Sequence, residues 1–261
     1  MQELLEIALR AARAAGDAIL EHYATVCVVE RKADGSPLTA ADRAAHQVIS
    51  EHLSGTGYPI VSEEGNELHL EERCYWLVDP LDGTKDFLAA NGEFTVNIAL
   101  IIEQRPVLGV VFAPALNEAY CGIVGTGGWL QRGDERCDFR QTPPAKDLRM
   151  AVSRFHDHPD VDIFAEENAI AHRIQAGSAL KYGLLATGDV DVFPRLVGSS
   201  EWDTAAGQAV LESAGGCVLD WHTRLPLRYG KTNRRNPRLL SLRAPLSPDV
   251  FNLKAYDMEL L

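Results

Sequence analysis

Trp76-Leu77-Val78 is an apolar run that stops at Asp79-Pro80, and the stretch from Trp76 to Phe87 constrains this chain more than any other. Such a run reads as a buried strand. Pro80 fixes its own φ and pushes Asp79 towards an extended conformation. Gly83 allows a tight turn, so the pattern predicts a strand that breaks sharply at Asp79-Pro80. A turn of this kind can aim Asp79 and Asp82 at one point, with the Leu81 carbonyl between them and the Thr84 hydroxyl alongside. Oxygen donors in that arrangement suit a hard cation such as Mg²⁺, which takes few carboxylates together with phosphate oxygens and water. A bare D-x-x-D after a strand is more often a solvated turn; the full D-P-L-D-G-T string is much more specific.

The chain has 261 residues, 46% hydrophobic and 24% charged. That is enough for one large domain or two intimately packed ones, with a sizeable core. A formal net charge of −12 repels long polyanions and argues against DNA or RNA as a bulk partner. A small phosphate substrate survives that argument, because bound cations invert the local potential. The five cysteines are odd in number and contain no C-x-x-C pair, which speaks against a disulfide framework or a thiolate zinc site and suits a reducing compartment. Residues 1–19 carry Glu3, Glu6, Arg10, Arg13 and Asp17, so they read as neither a signal peptide nor a membrane span. Cytoplasmic residence is the expectation, with peripheral membrane association left open.

The spacing of Leu4, Ala8, Ala11, Ala15 and Ala18 predicts a helix over 2–22. A strand over 25–30 and a polar loop over 32–37 follow. Thr39 as N-cap with Asp42 at N3 predicts a helix from there to about Leu53. Pro59-Ile60-Val61 reads as a short strand. A loop over 88–92 leads to strands over 94–102, 107–113, 118–124 and 129–132, a meander of antiparallel strands. Gly125-Thr126-Gly127-Gly128 is a turn within it, because no G-x-x-x-x-G-K-[ST] follows. The boundary falls at Arg140–Ala145, which has two prolines and no apolar periodicity; it divides 1–140 from 146–261. Beyond it short strands and helices alternate: strands over 148–153, 173–176, 190–193 and 217–219, helices over 159–170, 177–187 and 201–214, and a C-terminal helix begun by Ser247-Pro248-Asp249. His156 and His158, flanking Asp157, read as a surface loop rather than a metal pair. The basic run Lys231, Arg234, Arg235 reads as a solvated loop, the alternative being a grip on a second substrate phosphate.

W-L-V-D-P-L-D-G-T-K-D-F resembles the signature of the lithium-sensitive, Mg²⁺-dependent phosphomonoesterases of the inositol monophosphatase superfamily. V-S-E-E-G ending at Gly65 looks like that family's [G/S]-E-E motif. S-P-L-T-A-A-D ending at Asp42 looks like its N-terminal motif, and W-D-T-A-A-G from Trp202 like its second signature. Asn91 to Leu100 (N-G-E-F-T-V-N-I-A-L) and Gly177 to Lys181 (G-S-A-L-K) are similar to the bacterial 3′(2′),5′-bisphosphate nucleotidase branch. The resemblance covers about residues 5 to 240.

The resemblance implies an α/β (α+β) fold, a layered α-β-α-β-α sandwich with an antiparallel sheet in its N-terminal part and the metal site where the two parts meet. It implies metal ligands at Glu63, Asp79, the Leu81 carbonyl, Asp82 and Asp203, with Glu64 in a supporting place. Mg²⁺ is the implied cofactor, in two or three copies, with Mn²⁺ as a substitute; an oxygen-only donor set selects these over zinc. Asp42 and Thr84, with Glu63, form the implied catalytic set, the first two relaying a proton from the attacking water. Gly83, Thr84, Gly177, Ser178, Lys181 and Asp203 are the implied substrate contacts. The implied reaction removes the 3′-phosphate of adenosine 3′,5′-bisphosphate, a by-product of sulfate activation and sulfonate transfer in sulfur assimilation, leaving AMP. An inositol monophosphatase or other sugar-phosphate phosphatase is the alternative, since the metal motifs are shared. A non-catalytic nucleotide sensor is a third reading, although it has no need of Asp42 and Thr84. A homodimer is left open.

Overall fold

The computed structural model describes residues 1–23, 30–31, 37–65, 73–144, 146–155 and 158–253. The strand expected over 25–30 lies mostly outside the described residues, as do the loop positions 32–36, His156, Asp157 and the chain beyond 253.

Helix α1 (Gln2–His22) leads to a two-residue ladder, β1 (Glu30–Arg31) against β2 (Pro37–Leu38), and then to α2 (Ala40–Leu53). The capping box forms as expected: the Thr39 hydroxyl accepts from the Ala41 N–H at 3.2 Å, and Asp42 accepts from the Thr39 N–H at 2.8 Å. The strands β3 (Ile60–Ser62), β4 (Cys74–Asp82), β5 (Thr95–Ile102), β6 (Arg105–Ala113), β7 (Glu118–Ile123), β8 (Gly127–Arg132) and β9 (Glu135–Asp138) form one seven-stranded sheet in chain order. The meander from β4 to β9 is antiparallel throughout, while β3 runs parallel to β4. A short helix, α3 (Thr84–Leu88), follows β4.

The C-terminal part contains β10 (Arg149–Ser153), α4 (Pro159–Glu167), β11 (His172–Ala176), α5 (Leu180–Thr187), β12 (Val192–Arg195), β13 (Ser199–Ser200), α6 (Trp202–Ser213), β14 (Cys217–Asp220), β15 (Arg235–Asn236) and β16 (Leu239–Leu242). Five of these strands make a second sheet in the order β11-β10-β12-β16-β14, and β13 pairs with β15 apart from it. The C-terminal helix is present among the described residues only as a 3₁₀ turn, Pro248–Val250.

Three cores bind these layers. Side chains alternate across a strand, so Trp76 and Val78 of β4 face one core while Leu77 faces another. The first core buries Leu5, Ala8, Ile19 and Ile49 of α1 and α2 against the seven-stranded sheet. The second packs Leu180, Tyr182, Ala206 and Val210 of α5 and α6 between the two sheets. The third covers the far face of the five-stranded sheet with Val161 and Phe164 of α4. The order is helix, sheet, helix, sheet, helix, so the layered sandwich is the observed fold. Close approach depends on small residues at two crossings. A Cβ on Gly109 would stand 2.5 Å from the Ala206 carbonyl oxygen on α6, and one on Gly16 of α1 would stand 2.5 Å from the Phe112 ring.

The expected break at Asp79-Pro80 is corrected: β4 continues through Pro80 to Asp82. Asp79 pairs with Asn97 and Asp82 with Thr95, so one extra residue sits on β4 between them. Proline's missing donor falls inside that bulge, where the ladder is already interrupted. The bulge, rather than a break, turns the end of the strand towards the cleft.

Candidate metal centre and substrate cleft

A cleft of about 270 Å³ opens where the two parts meet, and Glu63, Asp79, Leu81, Asp82, Thr84 and Asp203 all border it. Glu63 directly follows β3, and its N–H donates to the Val78 carbonyl at 3.1 Å. The His46 ring on α2 lies 2.9 Å from the Ser62 hydroxyl, tying that turn to the helix layer. Asp79 is buried at the start of the bulge, where its carboxylate accepts from the Leu81 N–H at 3.1 Å. Asp203 is the second residue of α6, and Glu201, not Asp203, occupies the N-cap position. The Asp203 carboxylate instead accepts from the Ser200 N–H at 2.9 Å.

Glu63, Asp79 and Asp203 each present a carboxylate oxygen, and these oxygens lie within 4.8 Å of one another. Burial, and then repulsion from Asp82 and Glu63, raises the Asp203 carboxyl above the usual carboxylate range. Crowded, partly desolvated acids of this kind are stabilised by a cation. The donors are all oxygen, so the residues present fit Mg²⁺. Asp82 borders the same cleft but stands outside the tight group. Burial raises its carboxyl too, while Lys181 and Arg195 nearby and the Asn97 amide at 3.3 Å oppose that effect.

Asp42 is buried at the start of α2, where one of its carboxylate oxygens also accepts from the Thr39 hydroxyl at 2.6 Å. Among the described residues it is not part of the cleft lining, whereas Thr84 is. Gly83 takes φ +86°, and a Cβ there would meet Ser178 at 3.0 Å, so the position requires glycine.

Gly177 and Ser178 also border the cleft, and both are held by side chains from the N-terminal part. The Gly177 N–H donates to Glu93 at 2.8 Å, and α5 begins only at Leu180. The Ser178 hydroxyl shares a 2.6 Å hydrogen bond with Thr95. Lys181 is buried, and its ammonium donates to the carbonyls of Ala176 at 2.9 Å and Ser178 at 2.7 Å. The segment is thus a rigid wall clamped across the junction, with Lys181 closing its own turn and lying near Asp82.

Three arginines complete the lining: Arg154, Arg195 and Arg235. Arg154 sits just past β10 and grips Glu93 through two nitrogens, at 3.0 and 2.8 Å. Arg195 ends β12 and stands near Asp82 and Asp203. Arg154 directly follows the strand predicted over 148–153 and Glu93 lies in the N-G-E-F-T-V-N-I-A-L segment, but no local pattern shows that they converge, and none marks Arg195. The solvated-loop reading of the basic run is corrected as well. Lys231 and Arg234 turn inward onto the buried carboxylate of Glu201, at 2.8 and 3.3 Å, while Arg235 faces the cleft. His158 accepts from the Asp160 N–H at the start of α4, which accounts for it without a metal.

The model of the inositol monophosphatase family matches residues 1–246. A 3′(2′),5′-bisphosphate nucleotidase, CysQ, of Escherichia coli O157:H7 is 42% identical over 236 residues, covering 87% of this chain and 94% of that protein. The CysQ nucleotidase of Salmonella typhimurium is likewise 42% identical, over 90% of this chain and 95% of its own length. Among solved structures, CysQ from Bacteroides thetaiotaomicron superposes with a TM-score of 0.83 at 35% identity, covering 93% of this chain and 98% of that one. An IMPase of Thermotoga maritima superposes with a TM-score of 0.76 at 26% identity, over 93% of this chain and 92% of its own.

Proposed function

The chain belongs to the inositol monophosphatase family, and from that premise we propose that it is a 3′(2′),5′-bisphosphate nucleotidase, hydrolysing the 3′-phosphate of adenosine 3′,5′-bisphosphate to AMP and phosphate. The observation that carries this reading is the group of three carboxylates, Glu63, Asp79 and Asp203, in a cleft that Gly177 and Ser178 also border. The first feature suits a phosphate ester accompanied by hard cations. The second belongs to a segment shared with the nucleotidase branch.

Glu63, Asp79 and Asp203 would hold Mg²⁺, with Asp82 and the Leu81 carbonyl beside them and Mn²⁺ as a substitute. When bound, the ions neutralise charge on the phosphoryl oxygens and make water a better nucleophile at neutral pH. The chemistry left to the chain is positioning and proton transfer. Water attacks phosphorus as the bond to the 3′-oxygen breaks. We assign Thr84, which lines the cleft, to receiving the water's proton and Asp42, buried behind the lining, to relaying it onward, while a proton from solvent restores the 3′-hydroxyl. The 176–181 turn, held by Glu93, Thr95 and its own Lys181, gives the ribose a wall. Cytoplasmic residence belongs to the same proposal, in keeping with four described cysteines that are all free thiols.

A panel of phosphate esters at fixed Mg²⁺ tests the reading. We expect adenosine 3′,5′-bisphosphate to exceed inositol 1-phosphate and fructose 1,6-bisphosphate in kcat/KM. The reverse order would overturn the substrate assignment and leave the metal chemistry standing.

A further inference from the structure

A bisphosphate carries a second phosphate that is not hydrolysed, and the cleft wall must meet its charge. Five cations line the cleft: Lys85, Arg154, Lys181, Arg195 and Arg235. Arg154 is held by Glu93, and Lys181 by two carbonyls. Lys85 is already partnered, and Arg195, which forms no ion pair among the described residues, has its charge set against the acidic Asp82 and Asp203. Arg235 differs from all four. It is exposed, and among the described residues its guanidinium donates only to the Ser200 hydroxyl, at 3.4 Å, and no carboxylate pairs with it.

Arg235 is also held in place from behind. Its backbone pairs with Ser200 in the β13–β15 ladder, and the Ser200 N–H is the group that binds Asp203. The next residue, Asn236, donates to the Ser199 hydroxyl, the Ser200 carbonyl and the Thr204 hydroxyl at 3.2, 2.7 and 3.1 Å. The loop before Arg235 is gathered by Glu201, whose carboxylate is wholly buried. It accepts from the Gly230 and Lys231 N–H groups at 3.1 and 2.9 Å and pairs with Lys231 and Arg234. The Glu201 N–H in turn donates to the Arg234 carbonyl at 2.8 Å. Four donors on one carboxylate take up about all of its acceptor sites, so the loop has one well-defined path.

We propose that Arg235 is a subsite for the substrate's second, non-reacting phosphate, and that Glu201 is the positioning residue that sets it there. The proposal rests on the nucleotidase reading. An arginine fork matches phosphate geometry and keeps its charge at all working pH. Because Arg235 has no anion of its own among the described residues, a phosphate meets it without displacing a carboxylate there. Binding there favours bisphosphates over monophosphates, and the remote contact orients the ester at the acidic cluster.

The test compares adenosine 3′,5′-bisphosphate with adenosine 3′-monophosphate, which lacks only the second phosphate. In Arg235→Gln we expect the kcat/KM ratio of bisphosphate to monophosphate to fall about tenfold, the scale of one charge-assisted hydrogen bond. The loss should lie mainly in KM, and Arg235→Lys should restore part of it. Glu201→Gln should lower the same ratio, and the double variant should fall no further than Arg235→Gln alone. A ratio that survives Arg235→Gln, in a wild type that prefers the bisphosphate, overturns the subsite. A ratio lost in Arg235→Gln but kept in folded Glu201→Gln overturns the positioning role. A wild type that hydrolyses inositol 1-phosphate faster than either nucleotide overturns the nucleotidase reading instead, and the subsite with it.

Discussion

Replacing Asp203 by Asn should make the metal-free protein more stable while abolishing turnover. Asn keeps the shape of the side chain, and its carbonyl can still accept from the Ser200 N–H. It removes one negative charge from a group whose oxygens lie within 4.8 Å of one another. At that separation, two charges repel by about 3.5 kcal/mol at an effective dielectric constant of about 20. The folded-state carboxyl of Asp203 is pushed up to about 7 from 3.8, which at about 1.36 kcal/mol per pKa unit puts a ceiling of about 4 kcal/mol on the cost of ionising it. Asp203 is partly open to the cleft, so solvent screening lowers the figure, and we expect a gain of about 2 kcal/mol at pH 8. The pH dependence follows from the direction of the shift. Between 3.8 and about 7 the folded chain holds a proton on Asp203 that the unfolded chain has released. Wild-type stability therefore falls as pH rises through that window and levels off above it, and the Asn variant lacks this component. Urea denaturation of chelator-treated wild type and variant at pH 5 and pH 8 measures the difference. The gain should be complete at pH 8 and clearly smaller at pH 5, where only the part of the window between 3.8 and 5 has been crossed. Mg²⁺ should stabilise the wild type and not the variant. Equal gains at both pH values, or none, would refute the assignment of Asp203 to a crowded carboxylate group.

Asp79→Asn should leave a folded protein with essentially no phosphatase activity, judged by circular dichroism and phosphate release; near wild-type turnover would count against Asp79 as a metal ligand. Millimolar Li⁺ and excess Mg²⁺ should both inhibit in steady-state assays, since Li⁺ matches Mg²⁺ in size with half its charge and saturating Mg²⁺ retains product; a simple plateau in Mg²⁺ with no response to Li⁺ would contradict this. Gly109→Ala should cost about 1–3 kcal/mol by thermal or urea unfolding, because the new Cβ meets the Ala206 carbonyl oxygen at 2.5 Å. An unchanged midpoint would mean that α6 yields at that crossing.

Much of this protein is determined by its sequence alone. The apolar spacing of α1, the Thr39–Asp42 cap of α2 and the meander that follows Phe94 are local patterns, set by periods and caps within a few residues. Glu63, Asp79 and Asp203 are legible through strings that resemble the family's signatures, V-S-E-E-G, W-L-V-D-P-L-D-G-T and W-D-T-A-A-G. What the tertiary structure decided is everything that depends on convergence. Pro80 reads as a break, yet β5 supplies a partner with room for a bulge, and the strand continues. Among the described residues Gly177 has no partner within its own segment, and Glu93, far away in the chain, accepts from its N–H. Lys231, Arg234 and Arg235 read as three equivalent surface cations. Only the buried Glu201 divides them, drawing two inward and leaving the third to face the cleft. A charge's partner is fixed by distance through space, and distance through space is the one quantity that a local pattern does not contain.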